Sequence, residues 1–249
     1  MSEKRMQAGR VRKIVDRLCE HTYLAGLLNS DSTVLDLGAN QGHFSHGILS
    51  RYQCRVFAVE PFSKLRAGIE HSPGLTLLPF AVGGLCKRAT LNVFGSRCAS
   101  LLHQKEHEVL ESEEDVDVLD LRGVLERLGT DRVDLMKVDI EGAEVEMFAS
   151  ASDADLRKCV QITVEFHDFL YPEHFPQVEE VKRRLRALGF WVINFSLDNT
   201  DVLFVNAMAS GTGRLQYIRL KYLTKYLLGL PRRLRAWRRA IGLSRVNNQ

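Results

Sequence analysis

Cysteine is scarce in this sequence of 249 residues: there are five cysteines, an odd number, and no two of them form a C-x-x-C pair. This excludes a disulfide scaffold and argues against a zinc–thiolate site. Long apolar runs are missing too, since none reaches the roughly 18 residues that a membrane-spanning helix needs. Residues 1–7 are charged with no apolar block after them, so no secretory signal is expected. A reduced, cytoplasmic protein is predicted.

Acidic residues are missing from residues 211–249, which hold ten Lys and Arg. The whole chain has 34 Lys+Arg and 31 Asp+Glu, a formal charge of +3, so residues 1–210 carry 24 bases against 31 acids. The body is therefore mildly acidic and the tail strongly basic. Such an asymmetry indicates that one end meets an anionic surface or partner.

The basic tail also carries an apolar stripe, which predicts two amphipathic helices broken at Pro231. Two interpretations stay open. The tail binds the inner face of a membrane that contains anionic lipid, because arginines and a tryptophan stand beside leucines. Alternatively, it packs on the body and leaves its basic face in solvent. Nucleic acid is not expected as a partner, because no nucleic-acid motif accompanies the charge.

Residues 33–210 alternate short apolar runs with helical patterns. The predicted strands are 33–37, 55–60, 75–78, 133–139, 160–165, 190–195 and 202–205. The predicted helices are about 43–51, 62–71, 141–151 and 176–188. This alternation predicts an α/β fold with a doubly wound, mostly parallel sheet. The last two runs are joined by a link too short for a helical crossover, so they are expected to pair antiparallel.

The flanking segments divide the chain further. Helical spacing of apolar residues predicts a helix over 5–28, so the predicted division is an N-terminal helical cap (1–32), a main domain (33–210) and the basic extension (211–249). Within the main domain, residues 85–128 interrupt the alternation of strands and helices. They predict an extra strand at 89–94, an acidic surface loop at 111–115 and a helix that Asp120 caps and Gly129 ends.

The first strand runs into a glycine-marked turn, Asp36-Leu37-Gly38-Ala39-Asn40-Gln41-Gly42, that opens a helix. Gly38 and Gly42 let the backbone approach a ligand, and the helix N-terminus supplies free amides. The spacing is G-x-x-x-G, so it lacks the third glycine of the dinucleotide fingerprint. Taken alone, the turn also fits a purely structural role. Glu60 favours a ligand site, because it follows Gly42 by 18 residues, near the offset of a ribose-binding acid.

Polar residues lie at the ends of the fourth and fifth predicted strands. Asp139 and Glu141 follow the fourth, and Glu165 and His167 lie on one side of the fifth. His167 is a candidate general base, because an imidazole titrates near neutral pH, although a lone histidine is more often structural. Asp139, Glu165 and His167 are also candidate ligands of a divalent cation. Glu144 and Glu146 are explained as acids in the first turn of a helix.

These motifs resemble the FkbM family of S-adenosylmethionine-dependent methyltransferases. The matching elements are Asp36–Gly42, Val59-Glu60-Pro61, Ala81-Val82-Gly83 and, most specifically, Lys137-Val138-Asp139-Ile140-Glu141-Gly142-Ala143-Glu144. The resemblance covers about Val34 to Phe204, is loose over Asp115–Leu128 and does not include the basic tail. It implies a class I, Rossmann-like methyltransferase fold with seven strands, one of them antiparallel.

The resemblance also implies site residues. S-adenosylmethionine would be bound by Asp36, Gly38, Ala39, Asn40, Gly42, Glu60, Pro61 and Ala81. Glu60 would hold the ribose, and Ala81 would lie near the adenine. In-line transfer of a sulfonium methyl group depends mainly on positioning, but a hydroxyl acceptor needs help to lose its proton. His167 is the first candidate for that role and Asp139 the second, with Glu141 orienting the site.

The implied activity is O-methylation of a hydroxyl on a sugar, glycolipid or natural-product small molecule. Two other functions stay open: an NAD-dependent oxidoreductase, and a non-catalytic module that binds membranes through residues 211–249.

Overall fold

The computed structural model describes residues 15–94, 98–100 and 110–224. The chain divides into two compact units, residues 1–210 and 211–249. The first 10 residues of the predicted N-terminal helix, 5–14, lie outside the described residues, as does the predicted helix break at Pro231. In the described ranges, no helix is both long enough and apolar enough to cross a membrane.

The strands in the described residues are β1 Asp16–Leu18, β2 His21–Tyr23, β3 Thr33–Leu37, β4 Arg55–Val59, β5 Leu75–Leu78, β6 Ala81–Val82, β7 Lys87–Phe94, β8 Cys98–Ser100, β9 Leu110–Leu119, β10 Leu135–Val138, β11 Gln161–Val164, β12 Phe190–Asn194 and β13 Val202–Asn206. The α-helices there are α1 His43–Tyr52, α2 Ser63–Ala67, α3 Leu121–Leu128, α4 Glu144–Ser150, α5 Asp153–Arg157, α6 Phe175–Ala187, α7 Ala207–Ser210 and α8 Arg214–Ile218. Short 3-10 turns cover Ala25–Leu27 and Pro172–His174, and a π-helical segment, Arg219–Thr224, follows α8.

The main sheet of the first unit has seven strands in the order β12-β13-β11-β10-β3-β4-β5. Strand β13 runs antiparallel to both of its neighbours, and the other pairings are parallel. The predicted doubly wound sheet with one antiparallel strand is therefore confirmed. Every residue of β3, β10, β11 and β13 is buried, as expected for strands covered on both faces.

The predicted N-terminal helix is wrong over the residues that the structure describes. Strands β1 and β2 form a hairpin, and its two turn residues, Cys19 and Glu20, have φ of 45° and 67°. Tertiary contacts decide this segment: the backbone N–H and Oγ1 of Thr22 donate hydrogen bonds of 3.0 and 2.7 Å to the carboxylate of Asp201. The local spacing of apolar residues carries no information about a partner 179 positions away.

The interrupting segment forms a second sheet, with the order β6-β9-β7-β8. The predicted extra strand is confirmed as β7. Helix α3 is capped at its start by Asp120, whose side chain accepts a hydrogen bond from the Gly123 N–H, and at its end by Gly129. The acidic loop predicted at 111–115 is wrong, because these residues lie in β9, and 112–115 pair with β7. Most of these acidic side chains are exposed to solvent, while the backbone of β9 forms hydrogen bonds with β7. The polarity of the residues therefore did not distinguish a strand from a loop.

The turn after β3 is closely packed at Gly38, where the sheet edge leaves no room for a side chain. Gly38 has a φ of +78°, and a Cβ atom there would lie 1.8 Å from the carbonyl oxygen of Asp139. The glycine therefore lets the loops after β3 and β10 meet backbone against backbone. This contact brings Asp139 beside the first turn.

We expect Gly38→Ala to lower the free energy of unfolding by about 2–6 kcal/mol, because the strained φ and the overpacking each cost roughly 1–3 kcal/mol. Chemical denaturation of both proteins measures the difference. Gly26→Ala is the matched control, since a Cβ at Gly26 meets nothing within 4 Å. Equal stability of the Gly38 variant and the control would contradict the packing described here.

Candidate active site

A cleft opens at the carboxyl ends of β3, β4 and β10, where ligands bind in doubly wound sheets. It contains about 580 Å³ of empty space, open solvent at its mouth included. Among the residues that the sequence predicts for cofactor binding, Gly38, Asn40, Glu60, Pro61 and Ala81 line it. Asp139 and Glu141 line it as well, so the predicted cofactor site and catalytic edge share one cleft.

The other predicted cofactor residues shape the first turn from behind. Ala39 is buried in a small apolar cluster with Ala58 and Ile69. Gly42 is the left-handed N-cap of α1, and a Cβ there would lie 2.8 Å from the side chain of Ile69. The backbone N–H groups of Gly38 and Ala39 both donate to the carbonyl oxygen of Val59, at 3.0 and 2.9 Å, which ties the turn to the end of β4.

Glu60 lies on the cleft wall and is anchored by backbone amides. Its Oε2 accepts a hydrogen bond of 2.7 Å from the Asn40 N–H, and its Oε1 accepts one of 2.9 Å from the Phe62 N–H. An ionised carboxylate has about four acceptor positions, so two amides leave capacity for ligand hydroxyls. Burial raises the pKa of Glu60 to about 7 even though both hydrogen bonds favour the charged form.

A buried ion pair lies beneath the turn. Lys137 and Asp36 are register partners on adjacent strands, and the Nζ of Lys137 lies 3.2 Å from the Oδ1 of Asp36. The same Nζ donates to the carbonyl oxygen of Gly38 at 2.6 Å and lies 3.3 Å from the Oδ2 of Asp139. Ser45 donates to the other oxygen of Asp36 at 2.7 Å. Asp36 is fully buried, so it supports the turn and does not line the cleft.

The predicted catalytic residues meet beside Asp139. The Nε2 of His167 lies 3.9 Å from the Oδ1 of Asp139 and 3.8 Å from the Oε2 of Glu141. The structure thus brings His167, Asp139 and Glu141 together, although they come from the ends of two different strands. Both distances exceed normal hydrogen-bond lengths.

Glu144, explained in the sequence as a helix-start acid, also orients His167. It is the first residue of α4, and its Oε1 accepts hydrogen bonds from the N–H groups of Ile140 and Gly142 at 3.0 and 3.1 Å. The same oxygen lies 3.0 Å from the Nδ1 of His167. Glu144 therefore fixes the loop after β10 and directs the Nε2 of the imidazole toward Asp139 and Glu141.

The charges of the cluster shift its pKa values in opposite directions. Burial alone would raise the pKa of Asp139, but the Lys137 ammonium together with His21 and His167 outweighs it, and the pKa is lowered. Burial, followed by the charge of Asp139, raises the pKa of Glu165 to about 7. Burial would lower the pKa of His167, but its hydrogen bond with Glu144 and the nearby carboxylates raise it to about 9. The imidazole is therefore positively charged at neutral pH.

The three predicted cation ligands are divided between two groups of side chains. Asp139, Glu141 and His167 form one group, and His21, Asp139 and Glu165 form the other; in each, the ligand atoms lie within 4.8 Å of one another. Asp139 belongs to both. His21 was not predicted, because it comes from the N-terminal hairpin, which the sequence assigned to a helix.

Two other contributors had signals in the sequence. Lys137 interrupts an otherwise apolar strand, and a charged residue in a buried strand requires a partner. Glu144 ends the Lys-x-Asp-x-Glu-Gly-x-Glu element, which is more specific than an ordinary helix start. Arg66 had no such signal: its Nη1 donates to the carbonyl oxygens of Glu60 and Pro61 at 2.8 and 2.7 Å and so holds the loop after β4.

Comparison with known proteins gives a consistent result. A model of the methyltransferase FkbM domain matches residues 36–192, more than half of the chain. The AMB antimetabolite synthetase AmbE of Pseudomonas aeruginosa is 27% identical over 207 residues, which cover 67% of this chain. The chain spans only 10% of the length of that relative.

Solved structures are similar at low identity. Precorrin-6y C5,15-methyltransferase from Geobacter metallireducens is 12% identical with a TM-score of 0.37, covering 72% of this chain and 80% of that one. Precorrin 8W decarboxylase from Methanobacterium thermoautotrophicum is 13% identical with a TM-score of 0.38, covering 72% and 82%. The family match and the seven-stranded sheet together bear out the predicted class I, Rossmann-like methyltransferase fold.

We expect Lys137→Met to lower the free energy of unfolding by about 3–5 kcal/mol, because it leaves the charge of Asp36 buried without its partner. The double variant Asp36→Asn/Lys137→Met should recover much of this loss. Lys158→Met is the control: Lys158 pairs with Asp131 and Asp155 near the surface, so its loss should cost no more than about 1 kcal/mol. Urea denaturation compares all four proteins, and a Lys137 effect as small as that of Lys158 would refute the assigned role.

Proposed function

The chain belongs to the FkbM methyltransferase family, and we propose that it transfers the methyl group of S-adenosylmethionine to a hydroxyl of a sugar, glycolipid or natural-product small molecule. The observation that carries the proposal is the single cleft that joins Glu60 and the first turn to Asp139 and Glu141, with His167 beside them. One end of the cleft suits an adenosyl group and the other suits a reacting hydroxyl.

The cofactor end is formed by Glu60, Asn40 and Gly38. The Glu60 carboxylate, held by two amides, accepts hydrogen bonds from the ribose hydroxyls with its remaining lone pairs. Pro61 and Ala81 lie along the wall toward the adenine, and Gly38 lets the methionine portion approach the backbone. Asp36, Ala39 and Gly42 contribute by holding the turn in shape, not by direct contact.

At the other end, His167 accepts the proton of the acceptor hydroxyl. Glu144 holds its Nδ1, which leaves Nε2 as the reacting nitrogen, and Asp139 and Glu141 lie near enough to orient the hydroxyl. The positive sulfonium of the cofactor repels an imidazolium and so favours the neutral imidazole that takes up a proton. The oxygen then attacks the methyl carbon in line with the departing sulfur, and alignment supplies much of the rate.

The acceptor is proposed by class. The synthetase name of the AmbE relative supports a small natural-product acceptor, and the weak nucleophilicity of a hydroxyl explains the histidine and carboxylates beside the methyl position. Residues 211–249 are proposed to make peripheral contact with the inner face of a membrane, which suits a glycolipid acceptor. The non-catalytic membrane module is the second candidate; the basic charge of that tail favours it.

The test is methyl transfer by the purified full chain. We expect carbon-13-labelled S-adenosylmethionine to give a methoxy signal on a sugar, glycolipid or polyol acceptor, together with S-adenosylhomocysteine. His167→Gln should lower kcat by about 10²–10⁴-fold and leave S-adenosylmethionine affinity unchanged, because a proton acceptor acts only on the reacting hydroxyl.

His71→Gln is the control, since His71 is exposed and outside the cleft. A methyl signal on nitrogen or carbon would contradict O-methylation, and full activity of His167→Gln would remove His167 from catalysis. Cofactor binding without transfer to any acceptor, combined with vesicle binding that is lost on deletion of 211–249, would favour the membrane module.

Glu60 predicts a pH dependence of cofactor binding. Its raised pKa means that the carboxyl takes up a proton as pH falls through about 7, and the protonated form loses acceptor capacity for the ribose. We therefore expect the apparent Kd for S-adenosylmethionine to rise about tenfold between pH 8 and pH 6. Calorimetry measures this slope. Glu60→Gln should bind more weakly at pH 8 and lose the slope; an unaltered slope in that variant would assign the titration to another group.

A further inference from the structure

His21 is a buried histidine with no hydrogen-bond partner on either ring nitrogen. Only 1% of its surface is exposed, and neither Nδ1 nor Nε2 makes a hydrogen bond. Buried polar groups in native proteins are almost always paired, so an unpaired imidazole requires an explanation. Its Nε2 faces the Oδ2 of Asp139 at 3.7 Å, which is too long for a hydrogen bond.

We propose that His21, Asp139 and Glu165 bind one divalent transition-metal ion at the edge of the cleft. Each side chain offers one ligand atom, and the three atoms lie within 4.8 Å of one another. Two ligand atoms that each lie about 2.1 Å from one ion are about 3.0 Å apart when they bind at a right angle and about 4.2 Å apart when they bind on opposite sides. The separation of 3.7 Å between the Nε2 of His21 and the Oδ2 of Asp139 falls between these limits and allows both atoms to bind the same ion. Imidazole with two carboxylates suits an ion such as Mn²⁺ or Zn²⁺.

The hairpin holds His21 in a fixed position. Thr22, the next residue, is anchored to Asp201, and the His21 ring packs edge to face against Phe44 with ring centroids 5.9 Å apart. The imidazole is thus oriented by contacts that do not use its nitrogens. His21 lies before residues 36–192, which match the family model. The third ligand of this cluster therefore comes from outside the matched domain.

The group formed by Asp139, Glu141 and His167 is the competing arrangement. There the Nδ1 of His167 already bonds Glu144, and its Nε2 lies among the carboxylates that receive the acceptor hydroxyl. By contrast, neither ring nitrogen of His21 makes a hydrogen bond. The Nζ of Lys137 also contacts the Oδ2 of Asp139. This contact occupies one of the two lone pairs of that oxygen, and the second lone pair is available to the ion.

The proposed ion deepens the proposed function, on which its catalytic role rests. Bound beside the methyl position, it would supply Lewis-acid polarisation of the acceptor hydroxyl, which makes the proton easier to remove. Binding of the ion itself needs no methyl donor. The ion site and the methyltransferase activity can therefore be tested, and refuted, independently of each other.

The experiment titrates the chelator-treated full chain with Mn²⁺ and follows the electron paramagnetic resonance signal of the free ion, without S-adenosylmethionine. We expect one bound Mn²⁺ per chain and a higher melting temperature with the ion. His21→Gln and Glu165→Gln should each weaken binding at least tenfold and abolish the thermal shift. His71→Gln should bind like the wild type, and His167→Gln should bind at least as tightly, because it removes a positive charge from beside Asp139.

Glu165→Gln keeps the test decisive if His21→Gln fails to fold, because Glu165 is only partly buried. No bound Mn²⁺ at millimolar concentration, or unchanged binding in Glu165→Gln, would overturn the proposal. Loss of binding in His167→Gln with retention in Glu165→Gln would instead locate the ion in the competing group and overturn it as well. Cofactor affinity measured on the same preparations separates these outcomes from a failure of the methyltransferase proposal.

Discussion

The arrangement of the cleft depends on one buried ammonium group. Lys137 Nζ contacts the carbonyl oxygen of Gly38, the carboxylate of Asp36 beneath the turn and the carboxylate of Asp139 at the sheet edge. These three contacts join the loops after β3 and β10, which both line the cleft. Because the group is buried, water screens its positive charge only weakly, and the charge helps to keep Asp139 ionised.

The acidic edge follows from that constraint. Gly38 admits the Asp139 carbonyl at a distance that excludes any Cβ, so Asp139 is held against the first turn. Glu144 then orders the intervening loop and His167, and the N-terminal hairpin brings His21 to the opposite side of Asp139. Carboxylates and imidazoles thus converge from three parts of the chain. Such a concentration of negative charge suits a cationic ligand, whether a sulfonium or a metal ion.

Much of the arrangement of the site was predictable from the sequence, and the errors in that prediction have a common cause. The position of Glu60 and Asp139 at one cleft was predictable, because strand ends in a doubly wound sheet face one cleft. The position of His167 beside Asp139 followed from strand alternation. The roles of Lys137 and Glu144 were not found, since each depends on a partner in another element. His21 was missed because the segment that carries it was assigned to the wrong secondary structure.

The sequence alone determined the order of the main-sheet strands along the chain, the antiparallel pairing of the last two strands and the position of the glycine turn. These features depend on the periodicity, turns and caps of neighbouring residues, which a linear sequence records directly. Only the tertiary structure decided that residues 16–23 form a hairpin, that residues 111–115 lie in a strand, and which side chains share an ion pair. Hydrogen bonds such as that of Thr22 with Asp201 join residues far apart in the chain, and their energies override local preference.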